Sequence, residues 1–252
     1  MLLPITHFNH FKNMFMKKLF ALVALCVATV GASAQSEVGT FSLQPKIGLN
    51  FTNLSNVAPN YLRVGTLKPL EGGTSFTVGF TAGVEAEYQV TPMFSVAAGL
   101  LYSMQGTQYD DLETTYNDCT YGTKDSKIQL GYLNVPIVAN VYVAKGFALK
   151  AGVQFGFLVN NAIKSTYYET GLPDEKIDKS YNDLYKEEIE NGDMAKIKTF
   201  DFSIPLGASY EFNNVVIDAR YNLGLTKVFE GKDKNSVKNQ VVQVTVGYKF
   251  AL

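Results

Sequence analysis

The chain has 252 residues, a formal net charge of −1 and no tryptophan. That near-neutral balance leaves no basic footprint for nucleic acid. Its two histidines, His7 and His10, both stand in the first ten residues, so the rest of the chain lacks the commonest catalytic base and metal ligand.

The chain opens on a targeting pattern. Lys17 and Lys18 follow Met16, an apolar run occupies residues 19–30, and Ala32-Ser33-Ala34 is a small-x-small cleavage site. This predicts a cleaved signal peptide within residues 1–34, with Met16 as the expected start, and one domain over residues 35–252. The run is too short to cross a membrane as a helix. Cys26 lies inside it, so Cys119 is the one cysteine left and no intramolecular disulfide is expected. Loss of Lys12, Lys17 and Lys18 takes the charge from −1 to −4.

Eight segments then alternate apolar and polar residues, over 41–53, 76–89, 94–105, 127–143, 147–160, 200–212, 215–225 and 242–252. In the last, Val242, Val244, Val246, Tyr248, Phe250 and Leu252 share a face opposite Gln243, Thr245, Gly247 and Lys249. Eleven residues suit a tilted strand that crosses a bilayer. Thr245, Gly247, Phe250 and Leu252 resemble the terminal signal by which bacterial outer-membrane barrels are recognised for assembly, although Leu252 stands where an aromatic is usual.

The connections alternate in length. Residues 90–93, 144–146 and 213–214 form short turns, while 54–75, 106–126, 161–199 and 226–238 are long and polar. Short turns at one end and long loops at the other predict periplasmic turns and termini with extracellular loops.

A soluble lipocalin-like barrel also alternates, with its apolar face inward. Three features favour lipid outside. Glycines such as Gly48, Gly83, Gly152 and Gly207 gather on the polar face, as the narrow interior of an eight-stranded barrel requires. Aromatics gather at both ends of the apolar face, as girdles do. The apolar faces are almost uncharged, unlike a face that meets water. The expected fold is therefore all-β: an eight-stranded antiparallel transmembrane β-barrel of the outer-membrane type.

Two loops carry further patterns. Residues 106–126 hold Asp110, Asp111, Glu113, Asp118 and Asp125 among tyrosines, without the spacing of a calcium loop, and read as a solvated acidic loop. Residues 180–190 read as a short helix capped by Ser180, with Tyr181, Leu184, Tyr185 and Ile189 on one face as a candidate interaction surface.

The residues Gly131-Tyr132-Leu133-Asn134-Val135-Pro136-Ile137 and Ala151-Gly152-Val153-Gln154-Phe155-Gly156 resemble the central hairpin of PorT-like outer-membrane β-barrel proteins. Phe200-Asp201-Phe202 and Ala219-Arg220-Tyr221-Asn222-Leu223-Gly224-Leu225 resemble the last third of that family. The resemblance implies a fold and an outer-membrane location, and it raises a link to protein secretion.

The inward face carries Lys46, Lys150, Arg220 and Lys249 against Glu85, Glu87, Asp201, Glu211 and Asp218. Buried charges are costly unless paired, which predicts an ion-pair network across the lumen. Asp218 is expected opposite Lys249, with Arg220 one layer away near Glu211. Enzymatic barrels of this membrane rely on histidine, so no catalytic, cofactor or metal site is expected. The expected role is surface interaction or envelope structure. The alternative is transport, as a narrow pore or an accessory of a secretion system. Expected partners are outer-membrane lipid, the barrel-assembly machinery, and an extracellular ligand or secretion partner.

Overall fold

The computed structural model describes residues 37–62, 64, 66–117, 119–170, 179–180, 196–230 and 236–252. The leader within residues 1–34 lies outside them. Eight long strands form the wall: β1 (Phe41–Ser55), β2 (Thr77–Thr91), β3 (Phe94–Tyr109), β4 (Cys119–Ala144), β5 (Phe147–Thr170), β6 (Phe200–Phe212), β7 (Val215–Gly224) and β8 (Lys238–Tyr248). Each pairs antiparallel with the next. β8 then pairs with β1, from Lys46↔Gly247 to Ser55↔Lys238, and closes the barrel. A short continuation of β8, Phe250–Ala251, pairs with Leu43 and Ser42.

The side chains sort as the pleat dictates. Along β1, Ile47 is 66% exposed while Asn50 is 0% exposed. β7 alternates over its whole length, with Val215, Ile217, Tyr221 and Leu223 exposed and Val216, Asp218, Arg220 and Asn222 buried. A water-soluble barrel would have the opposite arrangement. This wall presents Val, Ile, Leu and Phe outward in a belt that only hydrocarbon suits.

Tight turns define one end. Asn213 and Asn214 have φ of 47° and 67°, both left-handed, as the two central residues of a type I′ hairpin require. Gly146, at φ 73°, turns the β4–β5 hairpin. Some inward glycines answer to the wall itself. A Cβ at Gly83 or Gly152 would run into the backbone carbonyl of Leu100 or Ile137 on the adjacent strand.

The other end departs from expectation. β4 and β5 run on as paired sheet to Cys119 and Thr170, well past the expected limits at residues 127 and 160. Leu112–Tyr116 adds to the edge of β4, so much of the expected acidic loop is an upright sheet. Its two faces carry similar Thr and Tyr residues, so no apolar–polar contrast marks it. Ser180, the expected helix cap, pairs in a two-residue strand with Thr166, an extended backbone that a cap residue also adopts. The helix itself, with Tyr181, Leu184, Tyr185 and Ile189, lies outside the described residues. A Leu70–Gly72 strand pairs with Asn60–Leu62 in the first loop.

A bulge shifts parity on β5. Tyr132 pairs with Leu158 and Gly131 with Asn160, leaving Val159 extra. Beyond it the odd positions turn inward, and Ile163 packs beside Ile128. Leu54, Ile128, Leu130, Tyr132, Ile197, Val228 and Val237 thus form an apolar cluster inside the loop end of the barrel. Residues 196–199 and 226–230 cross this mouth, held by the Ile197↔Phe229 bridge and by Lys198 N–H donating to Val228 O.

Candidate functional site

The inward charges assemble in layers. At mid-barrel, Arg220 on β7 reaches across the lumen to Glu85 on β2. Its Nη1 and Nη2 donate to Glu85 Oε1 and Oε2 at 2.7 and 2.8 Å. Its Nε and Nη2 donate to Asp218 Oδ1 and Oδ2 at 2.8 and 2.7 Å. Two carboxylates thereby occupy two edges of one planar guanidinium, an arrangement that a lysine cannot replace. Lys46 on β1 lies 2.6 Å from Glu85, and Lys150 on β5 lies 2.5 Å from Asp218. The group therefore ties β1, β2, β5 and β7 together through side chains that are all buried.

Nearer the turn end, Lys249 lies 2.6 Å from Glu211 and 3.3 Å from Glu87. Tyr142 and Ser95 donate to Glu87 Oε1 at 2.6 and 2.8 Å. Asn140 in turn donates to Ser95 Oγ at 2.9 Å.

Near the loop end, Asp201 accepts from Thr226 Oγ1 at 2.9 Å and from Asn239 Nδ2 at 3.2 Å, both at its Oδ1. Asp201 makes no ion pair among the described residues.

Eight of the nine anticipated charges thus meet in two groups, and Asp201 stands apart from both. The expected partners are wrong in two cases. Asp218 does not face Lys249, and Arg220 does not meet Glu211. The register explains this: Asp218 lies opposite Thr245, whereas Lys249 N–H donates to Asn214 O beside the turn. Lys249 therefore sits four residues below Thr245, roughly 13 Å along the strand, at the level of Glu211. Arg220 is long enough to cross the lumen and finds Glu85 there. Tyr142, Ser95, Tyr132 and Thr226 were missed. Tyr132 and Tyr142 share the inward parity of Asn134 and Asn140 on β4, and that signal was present in the sequence.

Of the residues in the terminal pattern, Thr245 is buried inside the barrel, while Phe250 and Leu252 are exposed on the wall. A Cβ at Gly247 would come 2.7 Å from Gln44 Nε2.

The upright sheet has a local cluster of its own. Tyr168 OH donates to Glu113 Oε2 at 2.5 Å, and its ring covers Gly122. Lys124 Nζ lies 5.2 Å from the ring centroid, within cation–π range. The hydrogen bond to the Glu113 carboxylate, followed by partial desolvation, pushes the Tyr168 phenol up to about 12.

The model of the outer membrane protein beta-barrel domain family matches residues 33–230. Among solved structures, the chain is similar to Ail, the attachment invasion locus protein of Yersinia pestis, at 15% identity over 85% of this chain and 100% of that one, with a TM-score of 0.39. Neisserial surface protein A shows 12% identity over 83% and 97% of the two chains, with a TM-score of 0.39. A de novo designed transmembrane β-barrel shows 14% identity over 86% and 99%, with a TM-score of 0.32. No curated protein matches the chain. A family match across most of the length, on a closed eight-stranded wall with its apolar face outward, means that this chain belongs to the outer membrane protein beta-barrel domain family.

Proposed function

We propose that the protein is a sealed, non-enzymatic barrel that serves surface interaction or envelope structure through the sheet raised above its loop end. The loop end faces the cell exterior, and both termini face the periplasm. Lipid surrounds the wall, and the barrel-assembly machinery inserts it.

The observation that carries this reading is the Arg220 group. It bridges opposite walls at mid-barrel, and the apolar cluster at the mouth adds a second barrier. An ion crossing this lumen has to break buried, doubly hydrogen-bonded pairs. In planar bilayers the wild-type barrel is expected to leave conductance at background, and Arg220→Ala is expected to lower unfolding temperature in detergent. Steady, discrete conductance steps from wild type, altered by Arg220→Ala without loss of stability, would replace the plug with a pore.

The PorT-like residues of the β4–β5 hairpin favour a second reading, in which the barrel is an accessory component of a secretion machine. Crosslinking in cells from Asn117→Cys, in a Cys119→Ser background, separates the two. A stoichiometric envelope partner supports the machine, and recovery of the barrel alone supports the first reading.

A further inference from the structure

Among the described residues, Asp201 is the one inward charge of the nine without an opposite charge. The other four carboxylates and the four cations occupy two groups below it. Lys150, the cation on the neighbouring strand β5, lies six residues below Gly156, the partner of Asp201, or about 20 Å away along the strand. Asp201 is nevertheless only 5% exposed. A bare buried carboxylate is costly, and two hydrogen bonds to one oxygen do not neutralise it.

The surroundings supply oxygen. Both hydrogen bonds to Asp201 end on Oδ1, which leaves Oδ2 without a donor among the described residues. Asn239 turns its Nδ2 toward Asp201 Oδ1 and toward Tyr132 OH, at 3.2 and 3.4 Å. Its own Oδ1 is buried and has no partner. That orientation is fixed, because a flipped amide would aim its oxygen at the carboxylate. Gly156 preserves the space alongside: a Cβ there would stand 2.9 Å from Asn134 Oδ1 and 3.3 Å from Asp201 Cβ. One carboxylate, two amide oxygens and a phenol oxygen therefore occupy two adjoining levels of the lumen, under the apolar mouth: Asn134 and Asp201 both flank Gly156, and Asn239 links Asp201 to Tyr132 on the level above.

We propose that Asp201, Asn239, Asn134 and Tyr132 hold a partly dehydrated monovalent alkali cation. The single negative charge selects this class. A divalent ion normally draws on several carboxylates, whereas one carboxylate with neutral oxygens balances a charge of +1. The ion also steadies the mouth, because Thr226, which bonds Asp201, begins the segment that crosses it.

The test uses the full mature barrel, folded in detergent. Its thermal unfolding midpoint is followed by circular dichroism while sodium chloride replaces choline chloride at constant ionic strength. A ligand that binds only the folded state raises the midpoint with the logarithm of its concentration. The expected slope in wild type is about 3–6 °C per tenfold rise in sodium above the dissociation constant. Asp201→Asn, which removes the charge, and Gly156→Ala, which fills the space, are both expected to flatten the slope. Retention of the wild-type slope by Asp201→Asn overturns the proposal, because the sodium then acts elsewhere. If neither variant folds, the same titration on Asn239→Leu decides: a flattened slope supports the site, whereas an unchanged slope, or a wild-type midpoint indifferent to sodium, overturns it.

Discussion

Arg220 shows how much one side chain can carry in a narrow lumen. Its guanidinium satisfies both oxygens of Glu85 and both of Asp218, so deleting it takes four charge-assisted hydrogen bonds from two buried carboxylates at once and leaves Glu85 with Lys46 and Asp218 with Lys150 and Lys46. Removing one member of a buried pair costs about 3–5 kcal/mol, and that is the loss expected for Arg220→Ala in chemical unfolding from detergent. Tyr168 makes the opposite point on a solvated sheet. Its phenol ionises near 12 in the folded chain, above the ordinary value of 10.0, because Glu113 accepts its proton in a hydrogen bond. A raised pKa means that the folded state holds this proton more tightly. The contribution is complete below pH 10 and is lost as pH rises through about 12. Glu113→Gln is expected to move the phenolate absorbance transition of Tyr168 down toward 10, read as a difference spectrum against Tyr168→Phe. Parity along each strand made the inward charges legible. Their partners were not, because a pair such as Arg220 and Glu85 forms across the lumen, where sequence spacing says nothing.

Elements were legible where their two faces meet different media. β6 spans Phe200–Phe212, the limits the alternation predicts, because Phe and Leu face outward against Asp, Ser and Glu within. The upper halves of β4 and β5 gave no such signal. Tyr116, Tyr121 and Thr114 share one face there, and Thr115, Thr120 and Glu113 share the other, so both faces have a similar composition. The bulge at Val159 was equally silent, since a parity change becomes visible only when the partner strand is known. The raised sheet and the short turns also provide an orientation test. In a Cys119→Ser background, Asn117→Cys is expected to react with a membrane-impermeant thiol reagent on whole cells, and Asn213→Cys is expected to stay unlabelled until the envelope is opened. Labelling at Asn213→Cys alone would reverse the proposed orientation.

At the scale of the molecule, the wall divides its work by height. Charge pairs hold the lower and middle lumen, a lone carboxylate and amides occupy the level above, and apolar side chains cover the mouth. The lipid-facing belt is continuous around all eight strands, whereas the raised sheet continues only part of the wall, chiefly β4 and β5 with the Leu112–Tyr116 edge. The closure between β8 and β1 has a kinetic meaning too. Asn50 lies opposite Gln243, so the seam joins residues 193 apart in the chain. Loop-closure entropy has to be met before that pairing returns anything, and contacts this distant in sequence make for slow folding. Until the seam forms, β1 and β8 each present a row of unpaired N–H and C=O groups, and hydrocarbon cannot hydrogen-bond them. Insertion and closure are therefore strongly coupled: a half-built wall is least tolerable in the membrane for which the finished one is made.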